Sequence, residues 1–457
     1  MTGTPSSVTP TSEPLSDLVV LDFTLALAGP FATRLLAGLG ARVIKVESPQ
    51  GHADPARANA PFVSDDGPTM TAPVASHDGV SRSLSFLDRA RGKEAITLDL
   101  KHPDAASVVA DLAARADLVV QNWSPGVAER LGVDFEALVR HNPAIVVASI
   151  TGFGLDAQPD EVPTSKAMDS IIQAMSGFML SAGAPGDPPV MNGVPVADLT
   201  APLFAVIGSL AAVHDARRTG RGRLVDVSML GALTSLVAAE PHGAYEALGR
   251  SSRPGRSVAR LAPFGVFATA DGHVALCAPT DAFAHRLLEL VGLAPDDARF
   301  ADRPARVANH ADLDRHLDEW AARRSTAEAV AELAAVGVPA APVRTPAEAV
   351  ADPLVVRRGE VAPIVDPLDP DRPLDGVVGP GVPISFRAAT STAASTAASM
   401  SGSDGPADPD PAEQASPDGP GPAAVAPAIG EHNLAVYQDL LGYDAARLRQ
   451  LESDGVI

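Results

Sequence analysis

Cysteine is all but missing: Cys277 is the single one in the chain. That excludes an intrachain disulfide framework and every multi-cysteine metal site. Aromatic residues are scarce at 4% while 46% of the chain is hydrophobic, so aliphatic side chains must build the cores. No apolar run approaches the ~20 uninterrupted residues of a membrane-spanning helix, and no membrane partner is expected. Basic residues are outnumbered 35 to 56, leaving a formal charge of −21. Such a surface repels phosphate at long range, which argues against nucleic acid or an anionic bilayer and leaves room only for a local basic pocket. Lysine is rarer still, with Lys45, Lys93, Lys101 and Lys166 the only four, all before residue 167. A lysine kept where arginine is used so freely marks either chance or a place that needs a compact ammonium. The segment Met1–Pro14 lacks the basic-then-apolar layout of a signal peptide, and the expected location is the cytoplasm.

The catalytic motifs that anchor common enzyme classes are missing too. No G-x-G-x-x-G follows the first apolar run, and there is no G-x-x-x-x-G-K-[ST], H-E-x-x-H or G-x-S-x-G. Hydride-transfer cofactors, P-loop nucleotides, metalloprotease and serine-hydrolase chemistry therefore have no support, and no metal site is expected.

What is present alternates. Asp17–Phe23, Arg42–Glu47, Ala95–Leu100, Ala116–Asn122 and Ala144–Thr151 read as strands, with helices over Pro30–Gly40 and Pro103–Ala116 between them. Strand–helix alternation predicts an α/β fold around an open, mainly parallel, doubly wound sheet that binds ligands beyond the carboxyl ends of its strands. Ala201–Arg218 reads as a long apolar helix with Pro202 in its first turn. From about residue 231 to 337 a strand pair joined at Asp271-Gly272 and helices near Asp281–Val291 and Thr326–Ala335 suggest a smaller α+β domain. The expected division is a tail at 1–14, a large domain at 15–230, the small domain at 231–337 and a return segment at 338–387. The Ala/Ser/Pro/Asp-rich stretch 388–428, with no Lys or Arg, reads as a disordered acidic loop, and 429–457 as a helical tail that packs back on the large domain.

Spacing singles out few chemical groups. Asp198 precedes the long apolar helix, where a carboxylate feels the helix's positive end; it reads either as a nucleophile or as an ordinary helix cap. Asp169 invites the same two readings. Arg130 reads as an anion ligand or as a cation at a helix C-terminus, and Cys277 as a buried inert thiol.

Read together, a dozen segments resemble the class III CoA-transferase family, which includes formyl-CoA and carnitine CoA-transferases and 2-methylacyl-CoA racemases. They include Leu27-Ala-Gly-Pro-Phe-Ala-Thr33, Gly38-Leu-Gly-Ala-Arg-Val-Ile-Lys-Val-Glu47, Ile96-Thr-Leu-Asp-Leu-Lys101, Asn122-Trp-Ser-Pro-Gly126, Gln173-Ala-Met-Ser-Gly177, Gly193-Val-Pro-Val-Ala-Asp-Leu-Thr200 and Gly430-Glu-His432, in family order. The resemblance implies a Rossmann-like large domain built from both chain ends, the inserted smaller domain, and an interlocked homodimer. It implies transfer of CoA from an acyl-CoA thioester to a carboxylic acid, with Asp198 as the nucleophile, coenzyme A thioester as substrate and no tightly bound cofactor. The family's CoA-contacting positions fall on Leu27, Ala28, Leu98, Asp99, Leu100, Lys101, Asn122, Trp123, Ser124, Arg130, Lys166, Ala167, Met168 and Asp169. The racemases of the family carry an acid/base histidine where Met168 stands, so proton exchange at an α-carbon lacks a partner here. Acyl-CoA racemisation, isomerisation or dehydration on the same scaffold, and a non-catalytic CoA-binding relative, are the alternatives.

Overall fold

The computed structural model describes residues 13–49, 53–64, 67–72, 80–162, 166–251, 253, 255–258, 260–386 and 424–457. Most of the 1–14 tail and the 388–423 part of the acidic stretch lie outside the described residues. The chain divides into two compact units, one of residues 1–120, 131–145 and 350–457, the other of 121–130 and 146–349.

In the first unit the apolar run after Asp17 forms β1 (Val19–Asp22), followed by α1 (Ala28–Ala37). Pro30 lies in the first turn of α1, where its missing N–H breaks no helical bond. Then come β2 (Arg42–Glu47), α2 (Leu84–Ala90), β3 (Glu94–Thr97), α3 (Ala105–Ala113) and β4 (Leu118–Gln121). β1 pairs in parallel with β2 on one side and β4 on the other, and β2 pairs in parallel with β3. The order β3-β2-β1-β4 therefore reverses at β1, and the strands run parallel, as the alternating pattern predicts. Val20, Ile44, Ile96 and Leu118, one from each of the four strands, are fully buried.

The second unit holds β5 (Val146–Thr151) and β6 (Leu224–Ser228), paired in parallel. Between them lie α4 (Asp169–Met175) and α5 (Val196–Thr219), and α6 (Met229–Val237) follows. Further on, β7 (Leu261–Ala268), β8 (His273–Cys277) and a short β9 (Ala340–Pro342) form an antiparallel set. With α7 (Asp281–Leu290), α8 (His310–Ala321) and α9 (Thr326–Ala335) they enclose a core of their own around Phe267, Leu287, Phe300, Leu317 and Trp320. The fully buried Arg306 braces that core by donating to the carbonyls of Ala262 (2.9 Å) and Phe300 (3.0 Å).

The long apolar helix starts earlier than its sequence suggests. Proline favours a first turn, which sets the expected start at Ala201, yet α5 begins at Val196 and carries Pro202 inside. Asp198 is therefore the third residue of the helix and not a residue before it. By length and composition α5 is also long and apolar enough to cross a membrane, with half of its most apolar stretch buried. A run-length criterion misses it because Pro202, His214 and Asp215 interrupt the sequence.

The C-terminal tail closes the exposed edge of β3. The tail, read from its periodicity as helical, forms two short pieces, Ala435–Leu440 and α10 (Ala445–Ser453). Gly442, at φ +76°, turns the chain between them. Asn433 accepts from the Thr97 N–H (2.9 Å) and donates to its hydroxyl (2.8 Å), and the buried Tyr437 hydroxyl donates to the Thr97 carbonyl (2.6 Å). His432 and Ala95 exchange two more hydrogen bonds, so the tail does for β3 what a further strand would do. Replacing Asn433 by Ala strands the Thr97 amide and is expected to lower the unfolding free energy by about 2 kcal/mol, read from urea denaturation.

Candidate active site

The residues singled out for coenzyme A follow the carboxyl ends of strands. Leu27 and Ala28 open α1 after β1, Leu98 to Lys101 follow β3, and Asn122 to Ser124 follow β4. Two stretches are tightly held. The Leu98 N–H donates to the Glu47 carbonyl (2.8 Å) and the Asp99 N–H to the Val456 carbonyl (2.8 Å). In the second unit, Gln121 accepts from the Trp123 N–H (2.7 Å) while donating to the Ser149 hydroxyl (2.6 Å). Arg130 and Lys166 there, and Lys101 in the first unit, are exposed, whereas Ala28 and Leu98 are buried.

Segment 166–169 and Asp198 are brought together. Ala167 packs against Gly152, just past β5, where a methyl group on the glycine would collide with the alanine side chain. Asp169 then opens α4 and turns its carboxylate to the start of α5. One oxygen accepts the N–H groups of Ala197 (2.8 Å) and Asp198 (3.4 Å), and the other accepts from Gln173 (2.6 Å). Gln173, fully buried, also accepts from the Asn192 N–H (2.9 Å) and donates to the Asn192 carbonyl (3.2 Å), fixing the approach to the helix. Asp198 stands half-buried in the first turn of a 24-residue helix, at the end where the backbone dipoles favour a negative charge.

Beneath the β1–α1 turn lies a buried ionic cluster. The Lys93 ammonium has three acceptors for its three protons: Asp22 (2.8 Å), the Thr33 hydroxyl (2.7 Å) and the Pro30 carbonyl (3.0 Å). Lys45 donates to Asp54 (2.8 Å) and to the Thr24 carbonyl (2.9 Å). Asp22 also accepts from the Thr33 hydroxyl (2.6 Å), the Thr24 N–H (2.9 Å) and the Thr24 hydroxyl. Asp54 is steadied by Glu47, which accepts its N–H (3.1 Å) and holds Arg57 by two hydrogen bonds of 2.9 and 2.6 Å. The Arg57 guanidinium lies 3.6 Å from the centre of the Phe86 ring. Burial alone would raise the Asp22 carboxyl, but Lys93 and Lys45 outweigh it and hold the group at about 2. For Lys93 burial prevails over the pull of Asp22 and brings the ammonium down to about 8.

Comparison with known proteins decides the lineage. The model of CoA-transferase family III matches residues 15–404. The chain belongs to CoA-transferase family III. A succinyl-CoA:mesaconate CoA-transferase of Haloarcula hispanica is 36% identical over 77% of this chain and 86% of its own length. A succinyl-CoA–D-citramalate CoA-transferase of Chloroflexus aurantiacus is 30% identical over 97% and 98%. The crystal structure of a CAIB/BAIF family protein from Brucella suis matches at a TM-score of 0.70 and 30% identity, over 94% of this chain and all of that one.

In this family III chain the sequence pattern gave no separate role to Gln173, Asp54 or the Glu47–Arg57 pair. Gln173 sits four residues after Asp169, one helical turn on the same face, and that spacing was the available signal. Asp54, followed by Pro55, has the local signal of a helix cap and accepts the Ala56 N–H (2.9 Å), but its contacts with Lys45 and Ala26 have no counterpart in the pattern.

The cluster sets a pH dependence. Asp22 has a folded pKa below its ordinary 3.8, so its contribution is complete above 3.8 and disappears as pH falls through about 2. That contribution is about 2 kcal/mol. Lys93→Met leaves a buried carboxylate without its nearest cation and is expected to cost about 3 kcal/mol at pH 7. The gap between wild type and variant narrows as pH drops from 4 toward 2, checked by denaturant midpoints across that range.

Proposed function

We propose that the protein transfers CoA from an acyl-CoA to a carboxylic acid through covalent intermediates on Asp198. The observation that carries this is the division of labour at the start of α5. The N–H groups that a capping side chain would take there, those of Ala197 and Asp198, go to Asp169. A carboxylate placed in the same turn, half-buried and not required as the cap, has the surroundings of a nucleophile.

The steps balance as follows. An Asp198 oxygen attacks the thioester carbonyl, the C–S bond breaks, and an acyl-aspartyl anhydride and CoA thiolate result. The thiolate attacks the Asp198 carbonyl carbon and expels the donor acid, leaving an aspartyl-CoA thioester. The acceptor carboxylate attacks that thioester to give a second anhydride and free thiolate. Finally the thiolate attacks the acceptor's carbonyl, releasing the new acyl-CoA and restoring the Asp198 carboxylate. No proton needs to be moved at a carbon, which suits a site with Met168 at the start of α4. Leu27, Ala28, Leu98 to Lys101, Asn122 to Ser124, Arg130 and Lys166 to Asp169 are the residues assigned to coenzyme A, with Lys101, Arg130 and Lys166 the cations for its phosphates.

Two relatives are named for dicarboxylic acids, mesaconate and D-citramalate, and dicarboxylic acids are the first acceptors to try. An interlocked homodimer belongs to the same reading, supported by Leu203, Phe204 and Ile207, which stand exposed along α5. Light scattering on the purified protein should give twice the 46.7 kDa chain mass; a monomer at micromolar concentration refutes the dimer.

The decisive experiment is intact mass spectrometry after brief incubation with a panel of acyl-CoAs. Wild type should gain the mass of an acyl group or of CoA, and Asp198→Ala should gain neither and lose transfer activity by about a thousandfold or more. An adduct on the Asp198→Ala protein, or none on wild type despite turnover, overturns the proposal.

A further inference from the structure

The turn between β1 and α1 is held in a shape it would not choose alone. Ala26 has φ +65°, the one non-glycine residue among those described with a positive φ. That conformation costs a residue with a side chain about 1–2 kcal/mol. Both polar groups of Ala26 are gripped by charged side chains from elsewhere in the unit. Its N–H donates to Asp54 (3.0 Å), and its carbonyl accepts from Arg89 (2.9 Å). Two residues earlier, the Thr24 carbonyl accepts from Lys45, which also pairs with Asp54. The strained residue is thus clamped from both sides, directly before Leu27 and Ala28 and beyond the strand at which the sheet order reverses.

The clamp is a poor device for stability as such. Lys45 and Asp54 are 1% and 2% exposed as side chains, and a well-packed apolar pair is often as stable as a buried ion pair. Strain of this kind persists where the surrounding structure overdetermines it, and it concentrates at ligand clamps.

We infer that Lys45, Asp54 and Arg89 are positioning residues for coenzyme A, fixing the Ala26 turn so that Leu27 and Ala28 meet the ligand in a preformed shape. The inference rests on the coenzyme A site proposed above and adds to it the residues that set its geometry. The role is indirect: the three side chains act on the Thr24 and Ala26 backbone, and their loss weakens ligand binding by letting the turn relax.

The test is calorimetric titration of the full-length protein with coenzyme A, alongside steady-state kinetics. Lys45→Met with Asp54→Leu removes both buried charges together and leaves neither unpaired. This double variant should raise the Kd for coenzyme A, and the KM for acyl-CoA, by about tenfold, with kcat at saturation within about twofold of wild type. Arg89→Leu, near the surface, should fold normally and raise both about threefold. Arg306→Met, in the β7–β9 core of the other unit, should lower the melting temperature and leave the Kd unchanged, so that lost stability alone is not mistaken for lost positioning. A folded double variant or Arg89→Leu protein with the wild-type Kd overturns the inference, and Arg89→Leu decides alone if the double variant does not fold. Wild type that binds no coenzyme A overturns the underlying site assignment and this inference with it. Wild type that binds, with variants that bind equally, overturns this inference only.

Discussion

Two buried lysines and two buried aspartates dictate much of the first unit. Asp22 is paired in register with Lys45 across β1 and β2, and Lys45 in turn with Ala95 of β3. Lys93 reaches Asp22 from just before β3, and Thr33 reaches it from α1. A one-residue slip of any strand would turn its charged member to the opposite face, leaving a buried ion without a partner at a cost of several kcal/mol. Apolar burial alone would tolerate such slips better, since Val, Leu and Ile serve on both faces of a covered sheet. The cluster therefore specifies the register that the hydrophobic runs leave loose. Both lysines meet acceptors in different directions, which suits an ammonium and not a planar guanidinium.

The strands and helices that carry the sheet were legible because their signals are local. VVLD and LVVQ belong to largely apolar runs of strand length, RVIKVE alternates with period two, and each occurs as a strand. Boundaries failed where one local rule pointed the wrong way. Pro202 suggested a helix start, but packing against neighbouring elements carries α5 through it, with Ala197, Ala201, Ala205, Ser209 and Ala212 buried along one side. Gly442 breaks the tail because the chain there adopts a left-handed conformation that the helical spacing on either side does not reveal.

The four lysines show where composition stops being informative. Their scarcity suggested sites that need an ammonium, and Lys45 and Lys93 are such sites, yet both bind the protein's own carboxylates and carbonyls. Lys101 and Lys166, by contrast, are exposed. Nothing in the flanking residues separates the two classes, since Lys93 and Lys101 lie on either side of the same strand. The difference is tertiary: one end of that strand faces α1, and the other meets the chain's own C-terminus through the Val456 carbonyl.

Asp198 and Asp169 pose the same problem within one turn of helix. Either carboxylate, taken singly, reads as a cap, because aspartate near a helix start is common for that reason alone. Together they are not equivalent. The residue before α5 is Pro195, whose side chain accepts nothing, and Asp198, at the third position, already lies inside the helix. The first-turn amides are met from α4 by Asp169, whose second oxygen is fixed by the buried Gln173. Gln173 also holds the 192–194 segment that leads into α5, so one buried amide side chain sets both the cap and the approach of the chain it caps. A helix start fastened in this way keeps its dipole aimed at Asp198 without requiring that carboxylate as the cap. The covalent relay proposed for Asp198 requires that separation, since a carboxylate that becomes an anhydride and then a thioester loses its charge and cannot also hold the helix together while it reacts.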